Sequence, residues 1–417
     1  MKTAPIALLF ACFTLNSATA KDWPNWRGPN HNGISEETGL DLDWPKDGPK
    51  LLWQVDGCGK GYSSVAVSDG KIYTIGTKQG GEHLSAFREK DGELLWSTKF
   101  GTSGHSNGTP TVDGNLVYAI GRDGDLVCCN TSDGSIEWQK RFDKDFGGKM
   151  MSGWGYSESP LIDGELLICT PGGNDNMIVA LDKKTGKKVW GTEVDDLGNG
   201  GKDGAGYSSI VISNGGGVKQ YVQLTGRGII SVRAKDGELL WNYNRVANGT
   251  ANIPTPIVAG DHIFCSTGYG TGSALLKIKK KGSTRADVEE VYFLDAKTLQ
   301  NHHGGMIREG KYVYTGHKHN QGFPICVDIT TGDIMWGGDE RGPGDGSAAI
   351  TMADGHLIFR YQNGVVALIE ANPNEYKLKA SFMPAHQEKE SWAHPVIANG
   401  RLLLREQDKL MCYDVSK

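Results

Sequence analysis

The sequence predicts an all-β fold, an eight-bladed β-propeller with four-stranded antiparallel blades. Glycine is abundant in the chain, at 59 of 417 residues, while proline occurs only 15 times. Apolar stretches alternate with Asp-Gly, Asn-Gly and Thr-Gly pairs, which are typical of tight β-turns. Candidate first strands recur at intervals of about 42 to 52 residues, the repeat length of a propeller blade.

Residues 1–20 have the composition of an export signal. A charged start at Lys2 is followed by an apolar stretch at residues 6–15, and residues 18–20 are small, as a signal peptidase requires. The apolar stretch is too short to span a bilayer as a mature helix. We therefore expect an exported protein, periplasmic or extracellular. A lipoprotein cleaved before Cys12 is the alternative, although the apolar stretch continues past this cysteine.

The charge pattern excludes two classes of partner. Net charge is −5 with both signs well mixed, so the chain lacks the basic footprint of a nucleic-acid-binding protein or of a protein that binds anionic membranes. The one basic run, residues 277–281 with Arg285, is interpreted as an exposed hairpin tip. No later stretch has the length of a transmembrane segment. We expect a monomer.

A hairpin motif that ends in tryptophan carries the repeat. Each copy has a small residue first, glycine at the seventh place and tryptophan at the eleventh. The five copies end at Trp96, Trp138, Trp190, Trp241 and Trp336. The glycine would take the positive φ that the turn needs, and the second strand carries the tryptophan. Together with Trp53, these tryptophans are expected to dock one blade against the next.

A second hairpin precedes each motif and completes the blade. Its first strand follows a Ser/Thr-Pro or Ser-Ser pair. The eight first strands are predicted near Val65, Pro110, Pro160, Ser209, Pro256, Met306, Ala349 and Pro395. Blades five and seven have Tyr292 and Phe382 in place of the tryptophan. The eighth blade has three strands, so residues 51–55 are expected to supply its fourth and remove an open edge.

The predicted organisation is a signal peptide at residues 1–20, an extended segment at 21–49 and one propeller at 50–417. The motif ALDKKTGKKVW at 180–190 resembles the tryptophan-docking repeat of the pyrroloquinoline-quinone-like (PQQ-like) propeller family. That family includes quinoprotein alcohol dehydrogenases and, more distantly, the BAM complex lipoprotein B. Residues 22–29 and 48–53 are similar to the opening of secreted propellers that are abundant in planctomycete-like bacteria.

The resemblance raises PQQ with Ca²⁺ as a cofactor, but its site residues do not map. Quinoprotein dehydrogenases hold the quinone with a stacking tryptophan, a vicinal disulfide, Glu and Asn ligands to Ca²⁺ and a catalytic Asp. We cannot place the Glu, Asn and Asp set on this sequence residue by residue. Cys128 and Cys129 match the disulfide in spacing, but adjacent residues in a strand point to opposite faces. The cofactor therefore remains unassigned.

Loops that precede the first strands should converge on the propeller axis and form a funnel. Aromatic and polar side chains that meet in one concavity are the usual composition of a ligand site. The candidates are Tyr62, His105, Asn107, Trp154, Glu158, Asn252, His303, Asp345, Trp392 and His394. Trp154 and Glu158 are the most site-like local pair, a stacking platform beside an acid. His302 and His303 diverge if extended, so we predict no metal site from them.

Three functions remain open at this point. The leading hypothesis is an extracytoplasmic binding or scaffold module that uses its funnel or rim for a small ligand or an envelope protein. The second is a quinone-dependent alcohol or sugar dehydrogenase with a divergent cofactor site. The third, suggested by the resemblance to the BAM lipoprotein, is an outer-membrane protein assembly factor.

Overall fold

In a computed structural model, the chain forms eight four-stranded antiparallel blades, which confirms the predicted propeller. The structure describes residues 21–102 and 104–417. The export signal predicted at residues 1–20 and the alternative cleavage before Cys12 lie outside the described residues. In blades one to seven the four strands pair in chain order, as expected for successive strands joined by hairpin connections.

The strands of the first four blades begin and end as follows. Blade one contains Ala66–Ser68, Lys71–Lys78, Gly81–Arg88 and Leu94–Lys99. Blade two contains Thr111–Asp113, Leu116–Ile120, Asp125–Asn130 and Ile136–Arg141. Blade three contains Leu161–Asp163, Leu166–Cys169, Val179–Asp182 and Lys188–Gly191. Blade four contains Val211–Ser213, Gln220–Thr225, Gly228–Arg233 and Leu239–Tyr243.

The second half of the ring repeats this plan, with one long hairpin in blade five. Blade five contains Ile257–Ala259, His262–Thr267, Gly272–Lys281 and Arg285–Asp295. Blade six contains Met306–Glu309, Tyr312–His317, Phe323–Asp328 and Ile334–Gly337. Blade seven contains Ala348–Ala353, His356–Tyr361, Val366–Glu370 and Leu378–Phe382. Blade eight contains Val396–Ala398, Arg401–Glu406, Lys409–Asp414 and Leu51–Asp56. The two helical turns are Phe142–Asp145 and Gly215–Gly217.

The ring is closed by a strand from its own beginning. Leu51–Asp56 pairs antiparallel with Lys409–Asp414, and Trp53 lies opposite Cys412. This confirms the closure predicted for residues 51–55. The pairing gives the eighth blade its fourth strand, so one open sheet edge is removed.

Turn glycines receive the aromatic side chain of the preceding blade. A Cβ atom at Gly134 would lie 2.5 Å from Cε3 of Trp96, and Gly134 has a φ of +74°. The same contact joins Trp53 to Gly92, Trp138 to Gly186, Trp190 to Gly237, Tyr292 to Gly332 and Phe382 to Gly48. Glycine is therefore needed at these turns for the close approach as well as for the left-handed backbone.

Indole N–H groups add hydrogen bonds between blades. Trp96 donates to the carbonyl of Thr131 at 3.2 Å, Trp138 to that of Lys183 at 3.0 Å and Trp336 to that of Asn372 at 2.7 Å. Trp241 differs, because its indole donates within its own blade to Oε1 of Gln220, at 2.8 Å.

The adjacent cysteines Cys128 and Cys129 lie on opposite faces of their strand. Cys128 packs with Tyr118 and Trp138, whereas Cys129 packs with Tyr73 in a different hydrophobic cluster. Both thiols are free and buried, and burial raises the pKa of each to about 12. They act as small apolar residues of blade two.

The segment before the propeller crosses the central channel. Trp23 pairs with Val67 of blade one, and Ile34–Ser35 pairs parallel with Ala348–Ala353 of blade seven. Between these anchors, Trp26 and Arg27 lie on the axis. Two cavities of only about 10 Å³ each remain around them. The segment therefore plugs the channel. The sequence predicts only that this segment is extended and does not indicate that it fills the channel.

Candidate functional site

A concave chamber lies at the axis above the plug formed by Trp26 and Arg27. Its volume is about 430 Å³, within the range of pockets that hold small molecules. We call this chamber the funnel; Trp26 and Arg27 form its floor, and loops that precede the first strands of the blades form its walls. Six of the ten sequence candidates line it, namely Tyr62, Asn107, Trp154, His303, Trp392 and His394.

Three of these residues form one continuous aromatic wall. The ring centroids of Tyr62 and Trp392 are 4.5 Å apart, those of Trp154 and Trp392 5.6 Å, and those of Tyr62 and Trp154 6.1 Å. His105, another sequence candidate, stacks on Trp154 at 6.4 Å. The indole of Trp392 donates to Oε1 of Gln362 at 2.9 Å, which fixes its orientation. Trp154 is 44% exposed, so part of its ring remains open to a ligand.

A row of hydroxyl groups surrounds the floor, and each one links two neighbouring blades. The amide of Thr109 donates to Oγ of Ser159 at 2.9 Å, and the amide of Ser159 donates to Oγ of Ser209 at 3.0 Å. These residues come from the repeated Ser/Thr-Pro and Ser-Ser pairs that precede the first strands. A hydroxyl that accepts one hydrogen bond still has its own proton to donate. The row is therefore structural and also offers donors to a ligand.

Three histidines of the funnel, one of which (His303) contacts Trp392 with ring centroids 5.1 Å apart, are neutral at physiological pH. Burial lowers the pKa of His303 and His394 to about 3. Burial and the neighbouring His303 lower the pKa of His302 to about 2. His302 is held by hydrogen bonds at 2.7 Å to Ser347 and 3.1 Å to Tyr269. Within residues 21–102 and 104–417, no group of three or more His, Cys, Asp or Glu is placed to share a metal ion.

Among the described residues that line the funnel, Arg27 is the only one that carries a charge. Its Nη2 donates to the carbonyls of Met306 at 2.6 Å and Asn32 at 3.0 Å. The side chain is 7% exposed, and burial lowers its pKa to about 10, so it stays cationic at neutral pH. Sequence reasoning missed Trp26 and Arg27 as site residues. The signal that could have found them is the presence of two tryptophans and one arginine, Trp23, Trp26 and Arg27, within five residues of the segment before the propeller.

Glu158 does not accompany Trp154 as the sequence suggested. Its side chain turns into the blades and is 2% exposed. Its carboxyl accepts hydrogen bonds from the amide and hydroxyl of Thr170, both at 2.7 Å, and from Gln223 at 3.1 Å. Burial raises the pKa of this carboxyl to about 8. The reason is that Thr170 and Gln223 together supply three hydrogen bonds to this carboxyl inside the blades.

Two further sequence candidates also lie away from the funnel. Asn252 is fully buried, and its Nδ2 donates to the carbonyls of Thr225 and Gly226. Asp345 lies on the rim and pairs with Arg341. A position in a loop before a first strand is therefore not enough to place a side chain in the funnel.

The residues present do not fit the calcium–quinone centre of quinoprotein dehydrogenases. Ca²⁺ takes oxygen ligands that usually include carboxylates, and an alcohol proton needs a base. The described residues that line the funnel include neither Asp nor Glu. Cys128 and Cys129, which match the vicinal pair in spacing, are buried inside blade two. We therefore derive no catalytic step through a quinone.

Comparison with known proteins places the chain in a family. A family model described as outer membrane protein assembly factor BamB matches residues 45–124 and 80–338, which together cover more than half of the chain. The chain belongs to this family of PQQ-like propellers. BamB from Moranella endobia (strain PCIT) is 26% identical over 226 residues, 53% of this chain and 53% of that protein. The chain thus spans about half the length of this curated relative.

Solved structures support the fold alone, because their identity is low. BamB from Moraxella catarrhalis superposes with a TM-score of 0.63 at 13% identity, covering 88% of this chain and 99% of that chain. Quinohemoprotein alcohol dehydrogenase from Comamonas testosteroni gives a TM-score of 0.66 at 12% identity, covering 97% and 82%. The protein is thus a PQQ-like propeller of the BamB family, and its fold is similar to that of quinohemoprotein alcohol dehydrogenase.

Neither helix in the described ranges has the length or apolarity of a membrane span, since they contain four and three residues. Export itself remains a prediction from residues 1–20.

Proposed function

We propose that this protein is an exported binding module that takes a small, ring-bearing ligand into its funnel. The observation that carries the proposal is the aromatic wall of Tyr62, Trp154 and Trp392, which opens on a chamber of about 430 Å³. Rings stack favourably on such a wall, and the hydroxyl row and histidines supply hydrogen bonds that orient the ligand.

The rigidity of the surroundings supports this proposal. The plug closes the channel beneath the funnel, so a ligand would enter from the open mouth only. The wall is supported by the hydrogen bond from Trp392 to Gln362, and the hydroxyl row is part of the blade contacts. A site whose walls are already in place loses little conformational entropy on binding.

Calorimetric titration against a panel of ring compounds tests the proposal. The panel contains aromatic acids, their neutral amides, and neutral and acidic monosaccharides. We expect at least one compound to bind saturably below millimolar concentration. Binding should weaken at least tenfold in Trp154→Ala and be unchanged in Val189→Ala, a control at an exposed position on an outer strand. Equal binding by both variants, or no saturable binding across the panel, would overturn the proposal.

Quinone-dependent dehydrogenase activity is the alternative, but the lining does not favour it. Purified mature protein mixed with PQQ and Ca²⁺ should reduce no redox dye with alcohols or sugars, since the lining contains no carboxylate to act as base. Saturable quinone absorbance together with dye reduction would contradict the binding-module proposal and support the dehydrogenase.

A role in outer-membrane protein assembly is the second candidate, favoured by the family match alone. Under this proposal the partner is an envelope protein that contacts the rim rather than the funnel. Deletion of the gene should lower the amount of outer-membrane proteins, and expression of Trp154→Ala should restore it. Unchanged outer-membrane protein levels in the deletion strain would remove this candidate.

A further inference from the structure

The floor of the funnel holds a buried cation without a partner of opposite charge. No carboxylate of the described residues lies within 4.0 Å of the Arg27 guanidinium, whose Nη2 alone has hydrogen-bond acceptors. Nε is buried and has no acceptor. A buried charge is costly unless it is paired, and the usual partner is an anion.

A comparison inside the same ring shows what this chain does with other buried arginines. Arg360 is fully buried and forms an ion pair with Glu406 at 2.7 Å. Arg405 is fully buried, and its guanidinium donates to the carbonyls of Ser63, Ile75, Gly59 and Gln407. Arg360 also has two carbonyl acceptors on Nη1, although its Nε has none, and Arg405 has acceptors on all three nitrogens. Arg27 has acceptors on Nη2 alone, so more of its guanidinium is left for a group from outside the chain, in the funnel that it lines.

The backbone at this position also favours a specific role for the side chain. Arg27 has a φ of +67°, in the left-handed region that a non-glycine residue adopts at a cost of about 1–2 kcal/mol. Its carbonyl accepts from the amide of Gly33 at 2.8 Å, which closes a tight loop. Strain of this kind persists where the surrounding structure needs one particular side chain in one place.

We infer that the funnel ligand is an organic acid: its ring stacks on the aromatic wall, and its negatively charged oxygen pairs with Arg27. The inference rests on the proposed function and adds the charge of the ligand. Glu390 interacts with the hydroxyl of Tyr62 and belongs to a separate rim cavity. The floor is therefore positive and the mouth carries a negative group, so a bound acid would be oriented with its charged end towards the floor.

Carboxylates and phosphates share the oxyanion that this site recognises. The histidines are neutral and the hydroxyl row supplies donors, so Arg27 is the only group that distinguishes an anion from a neutral ligand. A single positive charge best matches a single negative one. Carboxylates and phosphates differ in shape and charge, so compounds that share one ring and differ in the acidic group distinguish them.

Wild-type protein tests the inference without any substitution. Binding of 2-naphthoate is compared with that of 2-naphthamide, which has the same ring and no charge, and with that of 2-naphthyl phosphate. We expect the carboxylate, the phosphate or both to bind at least tenfold more tightly than the amide. Preference for one acid identifies the source of the oxyanion. Equal affinity of all three would overturn the inference.

Substitution of Arg27 provides a second test of the inference. Arg27→Met should abolish the preference for the acid, Arg27→Lys should retain part of it, and Arg308→Met, outside the funnel, should leave it unchanged. If Arg27→Met fails to fold, the comparison of acid and amide on the wild-type protein still tests whether the funnel prefers an acid. Equal binding of acid and amide, lost in Trp154→Ala, would refute the inference and leave the proposed function standing. Absence of binding by every compound would refute both.

Discussion

The contacts between blades follow the sequence repeat, whereas most of the side chains that would bind a ligand in the funnel do not. At six of the eight junctions between described blades, an aromatic side chain of one blade meets a turn glycine of the next, as Trp96 meets Gly134 and Phe382 meets Gly48. In the funnel, the hydroxyl row follows the repeat, but the other side chains that the site would use do not: Trp154 is exposed, Arg27 lacks a partner charge, and His303 is half-buried and neutral. The repeat provides stability, and the departures from it provide the chemistry of a site.

Two tryptophans make the comparison concrete. Trp138 is 9% exposed and lies between blades two and three, where its indole is hydrogen bonded. Trp154 is 44% exposed and belongs to the aromatic wall. The same substitution at the two positions should therefore have opposite consequences for stability and for binding.

The largest expected effect is on the docking tryptophan. Trp138→Ala should lower the free energy of unfolding by about 3–5 kcal/mol, because it leaves a cavity between two blades. Trp154→Ala should lower it by less than about 1 kcal/mol, as is usual for exposed positions. Chemical denaturation of both variants measures the difference. Similar losses in the two would show that docking residues and funnel residues are not distinct.

A smaller effect is expected at the turn glycines. Gly134→Ala should lower the free energy of unfolding by about 2–4 kcal/mol, since the methyl group meets Trp96 and the backbone is left-handed. Gly114→Ala is the control: its φ is +59° but nothing lies within 4 Å of the new Cβ. Gly114→Ala should lower the free energy of unfolding by only about 1–2 kcal/mol. Equal losses would mean that the glycine is needed for its backbone alone.

Per pH unit, the pH dependence of stability gives the smallest signal, and it concerns Glu158. The unfolded chain ionises this carboxyl near pH 4.5, whereas the folded protein retains its proton up to about pH 8. Stability from this group is therefore complete below pH 4.5 and declines as pH rises towards 8, by at most about 1.4 kcal/mol per pH unit. Glu158→Gln should remove this decline, and Glu375→Gln, at an exposed position, should retain it. Thermal unfolding across this pH window measures both.

The fold could be predicted because its determinants are local and repeated. Glycine and tryptophan recur at fixed offsets in five copies, and the missing strand of blade eight left residues 51–55 to fill the gap. Tyr292 and Phe382, which replace the tryptophan in two blades, make the equivalent contact with Gly332 and Gly48. Because the pattern is repeated, each copy supports the interpretation of the others.

The site could be predicted only in part, because side-chain direction is decided by contacts between distant segments. Glu158 turns inwards because Thr170 and Gln223 offer hydrogen bonds there. Trp26 and Arg27 reach the axis because the segment that contains them is anchored on blades one and seven. None of these partners is near in sequence or part of the repeat, so sequence reasoning had no means to place them.

Binding by a stable Trp154→Ala variant tests the central claim most directly. Unfolding and calorimetric titration with the tightest compound of the ring panel are measured on wild type, Trp154→Ala and Val189→Ala. We predict that Trp154→Ala keeps wild-type stability to within about 1 kcal/mol and loses at least tenfold in affinity, while Val189→Ala changes neither. Wild-type affinity in a fully folded Trp154→Ala would contradict the account, because the aromatic wall would then have no part in binding.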